Sequence, residues 1–193
     1  MTHSDITITD LAKVGEEDAQ YLVSLIRTVP GFPKKDVMFR DFIPVLADQR
    51  GLSIMMKALE LALPVSVDSF DYVAGLEARG FLIGVPLAAQ LGKGFLAVRK
   101  AGKLPPETLN QSYSLEYGEA TVEIEKDAVK PGDRVLVVDD LMATGGTAKA
   151  SADLISKAGG EVVGFSFVME LIGLSGRSDF EDSPISSLVT MPA

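Results

Sequence analysis

Four short, nearly continuous apolar runs, each separated from the next by helical or turn segments, constrain this chain most. Tyr72–Leu76 (YVAGL) is followed by EARG and a helix to about Leu91. Phe95–Val98 is the second run, and Arg134–Val138 (RVLVV) is the third. A helix from Ala148 to Lys157 follows the third run, stopped by Gly159-Gly160. Glu161–Met169 (EVVGFSFVM) is the fourth. A strand wetted on one face alternates apolar and polar residues, and these runs do not. Buried runs spaced by helices predict an α/β fold: a central parallel sheet of about five strands, helices on both faces, one domain over residues 1–193.

The flanking segments are less regular. Residues 16–28 (EEDAQYLVSLIRT) carry apolar positions near a 3.6-residue period with acids at the start, which predicts an amphipathic helix. Pro30, Gly31 and Pro33 end it. Residues 36–43 read as extended or loop, and 44–63 as one or two helices. Together residues 16–43 form a small hood over the strand ends. Residues 101–125 break the rhythm: a polar half with Pro105-Pro106, then Thr121, Glu123 and Glu125 alternating with Val122 and Ile124. This reads as a long mobile excursion returning as an exposed hairpin strand, and loops this long inside a compact domain are usually functional. The flexible lid spans about 104–125.

Composition excludes several classes of chemistry. Cysteine is absent and the single histidine, His3, lies in the N-terminal tail, so no disulfide, thiolate metal site or histidine triad is expected. A net charge of −9 argues against nucleic acid as a partner. The apolar tract 81–98 approaches the length of a membrane span, but Gly84, Pro86, Gln90 and the G-K-G at 92–94 break it into helix, turn and strand. The N-terminus shows no signal-peptide pattern. No membrane association and a cytoplasmic location are expected.

The third strand drives into two carboxylates, Asp139 and Asp140, and then a glycine loop, Ala143–Thr147 (ATGGT). In open α/β sheets ligands sit beyond the carboxyl ends of the strands. There, a glycine loop opening a helix points N–H groups at an anion, and Thr144 and Thr147 add hydroxyls. Ala143, Thr144, Gly145, Gly146 and Thr147 therefore make a phosphate cradle. The loop lacks the spacing and lysine of a P-loop. Two acids would repel a phosphate alone, but they suit neighbouring hydroxyls, as on a ribose, or a magnesium shell. The combined pattern reads as a sugar carrying a terminal phosphate.

At this point VLVVDDLMATGGT resembles the phosphoribosyl-diphosphate signature of the type I phosphoribosyltransferases. FPKKDVMFRD (32–41), GLEARGF (75–81), VRKAGKLP (98–105) and SYSLEYG (112–118) narrow the resemblance to the adenine-specific enzymes of that family, over roughly residues 20–172. It implies the type I phosphoribosyltransferase fold, the partners adenine, phosphoribosyl diphosphate, AMP and pyrophosphate, a magnesium cofactor carried by the substrate, and a homodimer.

The resemblance also implies residue roles. Ala143–Thr147 hold the 5′-phosphate. Asp139 and Asp140 hold the ribose hydroxyls, with magnesium nearby, and favour an electron-poor sugar in the transition state. Glu77, Ala78, Arg79 and Gly80 form the pyrophosphate loop, which in the family carries a non-proline cis peptide, here between Glu77 and Ala78. Arg99, Lys100 and Lys103 bind pyrophosphate too, within their own subunit or across a dimer. Glu116, on a lid from about Thr108 to Gly118, takes the proton that adenine loses, and Tyr113 and Tyr117 pack the closed lid. Phe39 and Leu171 sandwich the base, while the backbone of Met38 and Arg40 reads its edge. A 6-oxopurine reverses that donor–acceptor pattern. The related hypoxanthine–guanine enzymes carry an aspartate base at the position of Ala143, where alanine has no such function. Met38 and Ala101 depart from the usual pattern without removing a proposed chemical group, and the tail after Gly173 matches poorly and receives no role.

A bare nucleotide-binding structural protein would leave the lid and the basic cluster at 99–103 unexplained, and two further rival readings remain. One is a phosphoribosyltransferase for another purine. The other is a regulator that senses phosphoribosyl diphosphate and binds nucleic acid. The regulator would want a basic extension, which this acidic chain lacks, and would not need Glu116.

Overall fold

A computed structural model describes residues 5–32, 34–35, 37–114, 118–180 and 182–193. The chain opens with a short strand β1 (Thr7–Ile8), a 3₁₀ turn at Asp10–Val14 and helix α1 (Glu16–Leu25). Strands β2 (Arg27–Pro30) and β3 (Met38–Asp41) follow, then helices α2 (Ile43–Ala47) and α3 (Gln49–Leu61). The alternating body comprises β4 (Tyr72–Leu76), α4 (Arg79–Leu91), β5 (Gly94–Lys100), β6 (Thr108–Ser114), β7 (Glu119–Glu125), β8 (Arg134–Met142), α5 (Gly146–Lys157), β9 (Glu161–Ile172) and β10 (Ile185–Pro192).

Among the described residues the main sheet has eight strands in the order β1-β10-β9-β8-β4-β5-β7-β6. Its central run β10-β9-β8-β4-β5 is parallel throughout. The expected five-stranded parallel core is therefore present, with antiparallel additions at both edges. Along β8 the side chains divide between two cores, as a strand buried on both faces requires. Leu136 and Val138 join α3 and α4 on one face, and Val135 and Val137 join α5 on the other. The 81–98 tract resolves into α4 and β5, and no helix among the described residues is long and apolar enough to cross a membrane.

Several boundaries differ from the sequence reading. The first helix ends at Leu25, not Thr28, because Ile26 turns extended and residues 27–30 pair with 38–41 as a separate two-stranded sheet. The segment 44–63 is two helices broken at Asp48, whose Oδ1 accepts the N–H of Gly51 at 2.7 Å and caps α3. The polar first half of the 101–125 excursion is not a loop throughout, since β6 pairs residue by residue with β7. Glu123, read as outward-facing, is 5 % exposed: its Oε1 accepts the N–H groups of Lys103 (2.7 Å) and Leu104 (2.8 Å) and pins the turn ahead of the hairpin. The tail that received no role supplies β10, an inner strand of the sheet, with Leu188, Val189 and Met191 in the core.

Candidate active site

Strand β8 runs further than expected, through both acids to Met142, so Asp139 and Asp140 stand on the sheet rather than beyond it. The Asp140 N–H donates to Asp139 Oδ1 at 2.9 Å. Asp140 is buried and its Oδ2 lies 3.0 Å from Arg79 Nη2, without the alignment of a hydrogen bond. Burial pushes both carboxyls above the ordinary carboxylate range. The Asp140 charge adds to this at Asp139, and Arg79 opposes it at Asp140. Two acids held together in a water-poor cleft favour whatever positive charge develops beside them.

Arg79 opens α4, directly after the cis peptide Glu77–Ala78. Gly80 allows that helix start to press on β8: a Cβ there would lie 2.9 Å from Asp139 Oδ1 and 3.0 Å from the Val138 carbonyl. The Arg79 guanidinium also sits 5.6 Å from the centre of the Phe39 ring, so it links the sheet edge to the hood. Glu77 turns towards β5. It accepts the Lys100 N–H at 2.9 Å and meets Arg99 at 3.3 and 3.4 Å. Burial raises the Glu77 carboxyl, but these donors prevail and hold it below its usual value. Arg99 also donates to the Lys103 carbonyl at 2.9 Å.

Two hollows meet at Asp139. The smaller, about 90 Å³, is formed by Ala143–Thr147 with Asp139, Leu141, Met142, Ala148 and Phe167. Gly145 adopts φ +79°, the left-handed region, at the N-cap of α5, so the loop's N–H groups and the helix start face one small space. The larger hollow, about 520 Å³, takes Glu77, Ala78, Arg79, Arg99 and Lys100 on one side and Asp139, Asp140 and Thr147 on another. Asp139, Leu141 and Thr147 line both. From the hairpin, Tyr113 reaches in and its hydroxyl lies 3.0 Å from Thr147 Oγ1.

Not every sequence-assigned residue lines this cleft. Lys103 stays at the turn before the hairpin, and Met38, Phe39 and Arg40 belong to the hood. Phe39 meets Phe32 edge-on at 5.1 Å, so it packs in the hood as well as facing Arg79. The Arg40 side chain is buried, bonded to Thr28 Oγ1 at 2.6 Å and paired with Asp5, which leaves its backbone on β3. Leu171 is half-buried near the end of β9, opposite Met191. Glu116 and Tyr117 lie outside the described residues. Among those described, sequence reasoning missed Glu123 and the segment behind the glycine loop, Gly176 to Phe180. The even polarity of the tail gave no signal for the latter.

A glycine–threonine loop opening a helix beside two adjacent acids at the carboxyl edge of a parallel sheet defines a class, and the comparisons agree. Residues 54–188 match the model of the phosphoribosyl transferase domain. The chain is similar, at 68% identity and over 100% of both chains, to the adenine phosphoribosyltransferase of Bifidobacterium longum (strain DJO10A). It is similar to the solved adenine phosphoribosyltransferase of Thermoanaerobacter pseudethanolicus, at TM-score 0.85 and 48% identity, covering 89% of this chain and 99% of that one. The Saccharomyces cerevisiae adenine phosphoribosyltransferase, solved with an imino-altritol bisphosphate and adenine, aligns at TM-score 0.82 and 40% identity, over 89% and 98%. The chain belongs to the phosphoribosyl transferase family, and within it to the adenine phosphoribosyltransferases.

Proposed function

We propose that the two joined hollows hold phosphoribosyl diphosphate, with its 5′-phosphate in the small one and its sugar and diphosphate in the large one. The chain transfers the 5-phosphoribosyl group to adenine and gives AMP and pyrophosphate, the salvage of a free purine base. The observation that carries the placement is the sharing of Asp139 and Thr147 between the phosphate cradle and the acid cleft.

In this reading Ala143, Thr144, Gly145, Gly146 and Thr147 grip the 5′-phosphate. Asp139 and Asp140 accept from the ribose hydroxyls and stabilise positive charge at the anomeric carbon. Glu77, Ala78, Arg79, Gly80, Arg99, Lys100 and Lys103 surround the leaving diphosphate, through backbone N–H groups as well as cations. Met38, Phe39, Arg40 and Leu171 hold adenine, the base with which the yeast relative was solved. The adenine nitrogen forms its bond to the anomeric carbon as the bond to the diphosphate oxygen breaks, and Glu116 takes the ring proton.

Magnesium fits as a substrate-borne ion. Among the described residues no group of three or more candidate ligands gathers, while Asp139 and Asp140 offer two hard oxygen donors at the cleft. Bound there, the ion would neutralise diphosphate charge. Residues 1–193 act as one domain, the enzyme works in the cytoplasm, and it pairs as a homodimer. Size-exclusion with light scattering checks the last point.

The decisive assay supplies magnesium, phosphoribosyl diphosphate and adenine, hypoxanthine or guanine in parallel. AMP from adenine alone is expected. Turnover of hypoxanthine would overturn the base-edge assignment, and binding of phosphoribosyl diphosphate without turnover of any base would favour a sensor.

A further inference from the structure

The segment after β9 passes directly behind the glycine loop. A Cβ on Gly145 would lie 2.6 Å from the Gly176 carbonyl oxygen and 2.9 Å from the Phe180 ring. A Cβ on Gly176 would collide with the Ala143 carbonyl. Backbone thus rests on backbone, with no side chain between. Phe180 continues the contact inward, packing on Phe165 at 4.6 Å.

One ion pair fixes this segment. Arg177 Nε donates to Glu170 Oε1 and its Nη2 to Oε2, both at 2.7 Å, the two-pronged geometry that sets a guanidinium plane. Glu170 is 7 % exposed and stands opposite Met142, the residue at the root of the loop. Its Oε2 also accepts from Ser187 Oγ at 2.8 Å, and the Ser187 N–H donates to Asp10 Oδ2 at 3.3 Å. Burial raises the Glu170 carboxyl, but its donors prevail and hold it below its usual value. The anchor therefore reaches β10 and the N-terminal turn, with its Glu170 end buried and its Arg177 end half exposed.

We propose that Glu170 and Arg177 are positioning residues for the phosphate loop: their ion pair clamps Gly176 against Ala143–Gly145 and fixes the direction of the loop's N–H groups. The proposal rests on reading 143–147 as the 5′-phosphate cradle. An array of N–H groups binds an anion well only when it is held in place beforehand, and two adjacent glycines leave a loop free to reorient. The clamp supplies the rigidity that Gly145-Gly146 lack.

The test measures binding of ribose 5-phosphate by calorimetry, with steady-state kinetics beside it. In Arg177→Met the Kd for ribose 5-phosphate and the KM for phosphoribosyl diphosphate rise about tenfold. Arg177→Lys recovers part of this, and the KM for adenine changes by less than about twofold. If Arg177→Met does not fold, Glu170→Gln carries the same expectation. A fall in melting temperature and active fraction with both constants unchanged would overturn the clamp and leave a merely structural pair. Thr147→Ala separates this from the underlying reading. If it leaves ribose 5-phosphate binding intact, the cradle assignment itself fails, and the clamp with it. If it weakens binding while Arg177→Met does not, only the clamp fails.

Discussion

The two ends of β8 handle charge in opposite ways. At the amino end Arg134 meets Asp71 through both prongs of its guanidinium, at 2.9 and 3.1 Å, and its own N–H adds a third bond at 3.0 Å. These donors draw Asp71 down to about 2. At the carboxyl end, five and six residues along the same strand, Asp139 and Asp140 share a cleft with Arg79 and both carboxyls are raised by burial. One end forms an exposed, well-bonded pair that favours the fold. The other concentrates like charges that disfavour it. A parallel sheet collects its ligands at the carboxyl edge, so one strand carries a stabilising pair at one end and the acids proposed for the chemistry at the other.

The largest expected effect falls on Glu116, which lies outside the described residues. Glu116→Gln keeps size and removes the proposed proton acceptor, so kcat for AMP formation falls about 10²–10⁴-fold with little change in melting temperature. Stopped-flow or coupled assays at saturating substrates check this. An unchanged rate would rule out Glu116 as the proposed base.

Asp139→Asn strikes the contrast at its centre. The amide keeps an acceptor for the Asp140 N–H, but removes one of two crowded charges. Activity is expected to fall about 10²–10³-fold, the scale of losing one electrostatic contact to a transition state. Stability moves the other way. A carboxylate whose folded pKa is raised costs stability once pH rises above its unfolded value, so removing it raises the melting temperature at pH 7 by about 2–4 °C if the cost is near 1 kcal/mol. The gain should vanish in acid, where the parent's carboxyl is protonated in both states. A loss of stability at pH 7 would mean that Arg79 and the cleft outweigh the burial cost.

How much of this was readable from the residues follows the same division. Continuous apolar runs such as VLVV announced the buried strands, and DD-x-x-ATGGT announced two acids and a glycine loop at a strand's carboxyl end, because both signals are local. The inner strand β10 was not readable. Its residues ISSLVTMP bury Ser186 and Ser187, whose hydroxyls donate to Ser166 and Glu170 on β9. Buried serines resemble surface ones until their partners are known. β6 was hidden likewise: TLNQSYS is polar because it is an edge strand whose order comes from backbone pairing with β7. The Tyr113 hydroxyl contact with Thr147 spans 34 residues and has no counterpart in local pattern.

That contact gives a smaller expected effect. Tyr113→Phe removes one hydroxyl between hairpin and glycine loop while keeping the ring beside Gly146. A neutral hydrogen bond is worth about 0.5–1.5 kcal/mol, so the KM for phosphoribosyl diphosphate should rise about two- to tenfold with kcat nearly unchanged. A fall in kcat with KM fixed would assign the hydroxyl to the chemical step and draw the hairpin closer to the acids in function.

The smallest effect tests the amino end. Asp71→Asn breaks the pair with Arg134, far from both hollows, so catalytic constants should match the parent. The sign with pH is opposite to that at Asp139. Asp71 is depressed in the fold from its ordinary 3.8 to about 2, so it favours folding above pH 3.8 and that contribution is lost as pH falls towards 2. The parent should therefore melt slightly above the variant at pH 7, and the gap should close across that acid window. Because the pair is exposed to solvent, salt should shrink the gap as well. If Asp71→Asn instead lowered kcat at an unchanged melting temperature, the two ends of β8 would be coupled and the separation of stability from catalysis along this strand would fail.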